Sequence, residues 1–333
     1  MRRTIKSLVL LIMLLSSGCN EYTIKTTINP DGSFERTIVC DGNSTAFSNF
    51  HLPYVIDSSW SVVTEAKQGA EKEKREITTA KKRYTNSEQL MAEFARGRDS
   101  AKLQISCRVE KRFRWFFTYY IYTETLPSYA IFRHEPLDSF FTPTEIGLIK
   151  ENKDSLLNKR VDEFWLRNSI DEFIDRIEAK AKDLNDPSLP PSAFAEHKQA
   201  LMEELVKGKN DKPDDITRIV EKMLRPRPVE RLRGAMDTTF ADITKELERE
   251  AELDLSYKNE VSLPGILITS NSKKIEGNKV MWDCKSNRYF NVVMSAESRR
   301  VNLWAVIVTS IVCLGLVVGL LLPLIHRTRG GVF

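Results

Sequence analysis

From Val301 to Ile325 the chain reads VNLWAVIVTSIVCLGLVVGLLLPLI, with no charged side chain and only Asn302, Thr309 and Ser310 as polar interruptions. A hydrocarbon core about 30 Å thick takes roughly 20 apolar residues in helical form, and one charge near its centre costs about 2.5–3.5 kcal/mol. Residues 301–325 are therefore expected to form one C-terminal transmembrane helix, with 326–333 as a short cytoplasmic tail. Whatever precedes them must fold while tied to a bilayer.

The other end is also constrained. Arg2, Arg3 and Lys6 precede the apolar run Leu8 to Leu15, and Ser16-Ser17-Gly18-Cys19 follows. Basic, apolar and small-residue regions in that order read as a signal peptide over 1–18, whose apolar part is too short to span. A small pair directly before a cysteine resembles the lipobox of bacterial lipoproteins, which implies cleavage before Cys19 and acylation of its thiol, palmitate being one such chain. The family usually carries Leu three positions before the cysteine; here Ser16 holds that place and Leu15 lies one step earlier, a variant similar to those of Bacteroidetes lipoproteins. The alternative is an ordinary signal cut nearby. Either way residues 20–300 are expected on the periplasmic side of a bacterial inner membrane. His326, Arg327 and Arg329 suit the positive-inside tendency, while Arg299 and Arg300 on the outer flank oppose it, so the topology rests on the signal.

The whole chain has 50 Lys+Arg against 46 Asp+Glu, but Arg2, Arg3, Lys6, Arg327 and Arg329 belong to the two ends, and removing these five leaves 45 against 46. The exported body is almost neutral, which speaks against a nucleic-acid partner. Of the five cysteines, Cys19 is the lipid candidate and Cys313 lies in the span. Cys40, Cys107 and Cys284 remain in an oxidising compartment, where three thiols permit one disulfide by three pairings. All three also stand in register with apolar neighbours, so small buried hydrophobes are the competing reading.

Tyr22, Ile24 and Ile28 alternate with polar residues, Asn29-Pro30-Asp31-Gly32 supplies a turn, and Phe34, Ile38 and Cys40 resume the alternation, which predicts a hairpin. A strand is expected at 60–65, an exposed charged hairpin or loop over EKEKRE and AKKR, and a helix over 87–96 capped by Asn86 or Ser87. Leu103, Ile105, Cys107, Val109, Phe113, Trp115, Phe117, Tyr119 and Ile121 recur at period two. No turn residue interrupts 103–125, so the pattern predicts one long bent strand or two strands joined by a bulge, with its apolar face packed under helices rather than open as an aromatic platform. From Thr142-Pro143-Thr144-Glu145 the period becomes helical, with prolines dividing the block into segments that include 192–206 and 214–224. Strands return at 257–263, 266–270, 274–275, 280–284 and 289–296.

The expected class is α+β: an antiparallel sheet built from the N- and C-terminal strands, with a long helical insertion and one C-terminal transmembrane helix. The divisions are 1–18 signal, 19–141 β-rich half, 142–256 helical insertion, 257–300 completing strands, 301–325 span and 326–333 tail. Strand ends close to Cys19 and Val301 place both within ~20 Å of the bilayer, so the first and last strands are expected to run antiparallel and are free to be neighbours.

Asp31-Gly32-Ser33, Leu263-Pro264-Gly265, Ser270-Asn271, Gly277, Val280 and Trp282 ahead of a C-terminal span resemble the LppM-type lipoproteins of bacterial envelopes. That resemblance implies a small β-rich extracytoplasmic domain in contact with lipid or glycolipid and without established catalysis; the long helical block departs from it. The chemistry visible in the residues is sparse. His134-Glu135 starts like a zinc-protease helix, yet position 138 is Asp and Pro136 breaks the helix on which two histidines would share a face. No cofactor or metal is expected, and no GxSxG, P-loop or GxGxxG occurs. Arg225, Arg227, Arg231 and Arg233 form a basic cluster suited to a surface loop or to anionic headgroups at ~1 kcal/mol per charge. Two functions follow as expectations: a tethered module binding envelope lipid or protein, with membrane lipid engaged through Cys19 and 301–325, or an envelope hydrolase whose site the linear sequence hides.

Overall fold

The structure is a computed structural model that describes residues 21–42, 56–68, 74–96, 105–184, 192–207, 213–224, 230–253 and 255–329. The signal segment, Cys19, His51, Arg225 and Arg227 lie outside them. The chain is α+β, in two compact units: one of residues 1–126, 256–284 and 293–333, the other of 127–255 and 285–292.

The first unit begins with β1 (Glu21–Ile28) and β2 (Phe34–Gly42), paired in antiparallel register through Ile24 and Ile38 as the alternation predicts. Gly32 makes the turn at φ +94°, a backbone conformation L side chains resist, while Ser33 N–H donates to Asp31 Oδ1 at 2.9 Å. The charged stretch is a hairpin of β3 (Ser61–Gln68) and β4 (Lys74–Tyr84), and β4 pairs in turn with β2. Helix α1 (Ser87–Arg96) follows, with Asn86 Oδ1 accepting from Gln89 N–H at its start and Leu90 and Phe94 buried. The strands β5 (Ser106–Phe113) and β6 (Phe117–Leu126) come next.

The long-strand expectation fails at this point. Residues 106–126 fold back on themselves in antiparallel register, Phe113 opposite Thr118, around the tight turn Arg114-Trp115-Phe116-Phe117. None of these residues favours a turn; what holds it is a group from a distant part of the chain, described below.

After the helical block come β7 (Ser256–Ser262), β8 (Ile266–Ser270), β9 (Lys274–Glu276), β10 (Lys279–Lys285) and β11 (Val292–Val301). One sheet has the order β3-β4-β2-β1-β7-β10-β9, the other β5-β6-β11-β8. The ends of the chain thus complete the β structure, as expected, but in two sheets, and the β1–β7 pair is parallel. The first and last strands are not neighbours: β1 belongs to the seven-stranded sheet and β11 to the four-stranded one. The face of β6 expected to be apolar and inward, Phe117, Tyr119 and Ile121, is only half-buried; the alternate positions Tyr120, Tyr122 and Leu126 are the buried ones, and they meet the other sheet where helices were expected. One residue after β11, helix α8 (Leu303–Arg329) begins.

In the second unit, α2 (Leu137–Phe140) and α3 (Pro143–Lys150) lead into the long α4 (Asn158–Leu184), then α5 (Ser192–Lys207), α6 (Pro213–Met223) and α7 (Arg233–Glu252). Helix α3 begins at the predicted start signal, where a capping box forms: Thr142 and Glu145 each satisfy the other's backbone N–H, with Pro143 in the first turn. Phe173, Ile174 and Ile177 of α4 pack with Phe194 and Leu201 of α5, Val220 of α6 and Met236 of α7 in one core. A second core gathers Phe141, Ile149, Val161 and Phe164, with Tyr289 against it.

Gly265, between β7 and β8, has φ +83°, and a Cβ there would lie 2.3 Å from the Arg299 carbonyl oxygen of β11. Both the dihedral and the space exclude a side chain, and each such strain costs about 1–3 kcal/mol. Gly265→Ala is expected to lower stability by about 2 kcal/mol or more, read as an earlier urea midpoint of the full chain in detergent; an unchanged midpoint overturns this packing.

Candidate functional site

Among the described residues one helix is long and apolar enough to cross a membrane, Leu303–Leu322 within α8, and almost none of it is buried against protein. Its joint with the sheet is a single residue. Asn302 caps the helix, its carbonyl accepting from Ala305 N–H at 2.9 Å and Val306 N–H at 3.2 Å. Its backbone N–H donates to Phe116 O at 2.9 Å, its Nδ2 to Arg114 O at 2.8 Å and Trp115 O at 3.1 Å, and its Oδ1 accepts from Thr118 Oγ1 at 2.8 Å. This is the distant group that closes the β5–β6 turn. Around it Phe113 stacks on Trp304 with ring centroids 6.1 Å apart, and Trp115 meets Trp304 edge-on at 5.3 Å.

Between the two sheets lies a polar cluster that periodicity did not single out. Arg36 of β2 and Glu124 of β6 are each 1% exposed, and Arg36 Nη2 donates to both carboxylate oxygens at 3.0 and 2.9 Å. Tyr122 Oη also donates to Glu124, Tyr257 Oη reaches it at 3.2 Å, and Asn259 Nδ2 donates to Tyr122 Oη at 3.1 Å. Arg36 falls between Phe34 and Ile38, in the register that the alternation turns inward, but Glu124 falls between Tyr122 and Leu126, in the register that the alternation turns outward, so the sequence marks only one half of the pair.

Cys40, Cys107 and Cys284 are all buried free thiols on β2, β5 and β10. Burial, with the Glu124 charge beside it, pushes the Cys107 thiol up to about 12. Burial likewise raises Cys284, Tyr122 and Tyr257 well above their ordinary range, the Glu124 charge adding to each. These groups are held protonated, the reverse of what a reactive thiolate needs.

In the second unit the structure places His134 between acids. Its Nε2 is 2.7 Å from Glu172 Oε2 and its Nδ1 3.4 Å from Asp175 Oδ2, so both ring nitrogens face carboxylates of α4. Those acids are shared with cations: Glu172 with Arg176, which also binds Glu246 of α7, and Asp175 with Lys198 of α5. Asn168 Oδ1 receives the backbone N–H groups of His134 and Glu135 at 2.7 and 3.0 Å. The arrangement ties helices together. His197 is accounted for by the Ala193 carbonyl, 2.9 Å from its Nδ1. Among the described residues no group of three or more His, Cys, Asp or Glu is arranged to hold a metal ion.

The same unit has a polar cleft of about 170 Å³ lined by Asn152, Asp162, Lys285, Asn287, Arg288 and Tyr289 among others. Small-molecule pockets usually run to about 300–1,000 Å³. Its amides are already engaged: Asn287 Nδ2 donates to Ile149 O and Asn152 Oδ1, and Asn152 Nδ2 to Lys285 O. His134 does not line it.

Arg36→Met is expected to cost about 3–5 kcal/mol by stranding Glu124 in the interior, while Arg36→Met with Glu124→Leu recovers most of the loss; equal losses would mean the pair does not act as a unit. The raised Cys107 also fixes a pH dependence. The unfolded thiol ionises near 9.0 and the folded one near 12, so above about pH 9 the unfolded chain sheds the proton first and stability falls. Urea midpoints measured from pH 8 to 11 are expected to decline, and less steeply in Cys107→Ala.

No family model matches the chain, and no curated protein does. Among solved structures, the NMR structure of the folded domain of the Mycobacterium tuberculosis LppM protein is similar over 85% of this chain and 91% of its own, with a TM-score of 0.29 and 10% sequence identity.

Proposed function

We propose that the chain is a single-pass lipoprotein of the bacterial envelope, acylated at Cys19, whose folded body lies on the periplasmic side of the inner membrane and binds envelope lipid or protein. The observation that carries this reading is the joint at Asn302: an exposed apolar helix of membrane length continues from a central strand of the sheet with one residue between them. A body attached in this way keeps a fixed attitude to the lipid, which suits a binding or scaffolding module. Within the first unit Arg36 is paired with Glu124, within the second His134 and Lys198 are paired with acids of α4, and among the described residues most of the exposed large apolar side chains lie on α8 and the β5–β6 turn. A hydrolase reading would require one ring nitrogen of His134 to be freed from its carboxylate partner so that it could face a substrate.

An alkyne-bearing palmitate analogue fed to cells is expected to label the protein and to be lost in Cys19→Ala. Protease added to spheroplasts is expected to digest the folded body and to leave a C-terminal tag on the tail intact. Protection of the body, or loss of the tag, reverses the topology. Crosslinking in membranes followed by lipid analysis of the purified full chain is expected to recover a lipid or a protein partner, and a chain recovered bare counts against the binding reading.

A further inference from the structure

The β5–β6 turn reaches along the apolar helix instead of away from it. Trp115 Nε1 donates to Thr309 Oγ1 at 2.9 Å, and Thr309 is six residues beyond Leu303, about 9 Å along the axis at 1.5 Å per residue. Phe113, Trp115 and Phe116 are 57%, 48% and 43% exposed, an arrangement that wastes three large apolar side chains if water surrounds them.

Helix length decides where the turn lies. The 20 residues Leu303–Leu322 make about 30 Å, the thickness of the hydrocarbon core. If the span starts at Leu303, Thr309 is about 9 Å below the hydrocarbon boundary; if it is shifted to end at Ile325, a 20-residue span starts at Val306 and Thr309 is still about 5 Å below it. Holding Thr309 outside lipid would leave Ser310–Ile325, roughly 24 Å, for a 30 Å core.

A non-helical turn approaches hydrocarbon at lower cost the more of its backbone is satisfied by protein. The carbonyls of Arg114, Trp115 and Phe116 all accept from Asn302, and Arg114 N–H donates to Phe117 O at 2.7 Å. The indole N–H of Trp115, the polar handle of an otherwise apolar side chain, is spent on Thr309. Behind the turn Arg112, Arg114, Arg299 and Arg300 are all exposed; Arg112 pairs with Glu110 and Arg299 lies over the Phe117 ring, and no acid occurs from Phe113 to Phe117 or from Arg299 to Leu303.

We propose that Phe113, Trp115 and Phe116 at the tip of the β5–β6 turn are a second membrane contact, seated about 5–10 Å into the acyl boundary of the leaflet that α8 enters, with the side chains of the four arginines reaching back to collar it at the level of anionic headgroups. This rests on α8 spanning the bilayer and deepens the lipid-binding reading: the bound lipid is the annulus around the helix. The sheet is thereby held to the bilayer at two points, which fixes its rotation about the helix axis.

The test uses the full chain in vesicles of phosphatidylcholine and phosphatidylglycerol. Two single-tryptophan proteins are compared, one keeping Trp115 and one keeping Trp304, the other tryptophans being replaced by Phe. Emission from Trp115 is expected to be quenched several-fold by lipids brominated near the headgroup end of the acyl chain, as for Trp304, and to resist aqueous iodide. Quenching of Trp304 but not Trp115 by bromine overturns the inserted tip and leaves the spanning helix standing; failure of both overturns the span itself. Resistance of Trp115 to both quenchers places protein over the tip, a second copy included, and also overturns the proposal. In the otherwise native chain, Phe116→p-benzoylphenylalanine is expected to photocrosslink to lipid, and crosslinking to protein alone decides against it.

Discussion

Asn302 is the residue on which the rest of this architecture turns. One side chain and its two backbone groups end a strand, cap a helix and close a turn that has no turn-forming residues of its own. Each task satisfies backbone groups that would otherwise be orphaned. Because no slack separates β11 from α8, the direction of the helix and the direction of the sheet are one variable. A flexible linker of even a few residues would leave the folded body free to turn relative to the helix.

Inside the first unit the Arg36–Glu124 pair plays a comparable organising part between the sheets. Removing two charges from water is expensive, and their mutual attraction repays it only with the extra hydrogen bonds that Tyr122 and Tyr257 supply here. Such a pair is poor evidence for stability taken alone. Its effect is on specificity: β2 and β6 belong to different sheets, and only one registration brings the guanidinium against the carboxylate. The same low-polarity surroundings keep Cys107 and Cys284 as neutral thiols, so they pack as small hydrophobes.

The helical unit uses charge differently. Along α4, Asp171, Glu172, Asp175 and Arg176 form partly exposed pairs with α5, α7 and His134. Pairs of this kind are worth little singly, and their apolar faces do the packing. His134 looks like chemistry in the sequence because a histidine followed by an acid is a familiar fragment. In the structure its ring is a crosspiece between two acids on successive turns of one helix.

Local pattern alone determined much of this chain. The β1–β2 hairpin, the helix at 87–96, the capped start at Thr142, the proline-divided helical block and the apolar C-terminal helix are each specified by residues a few positions apart, and each is found where the pattern puts it. Of the buried ion pair only Arg36 lies in a register that the alternation turns inward; Glu124 lies in the other register of β6. Tertiary structure alone decided the hairpin within 106–126, the division into two sheets and the parallel β1–β7 pair. The physical reason is one of distance along the chain. Arg114 and Trp115 are held by a residue 188 and 187 positions away, and strand partners are chosen by which faces can be buried together, neither of which leaves a mark on the neighbouring residues.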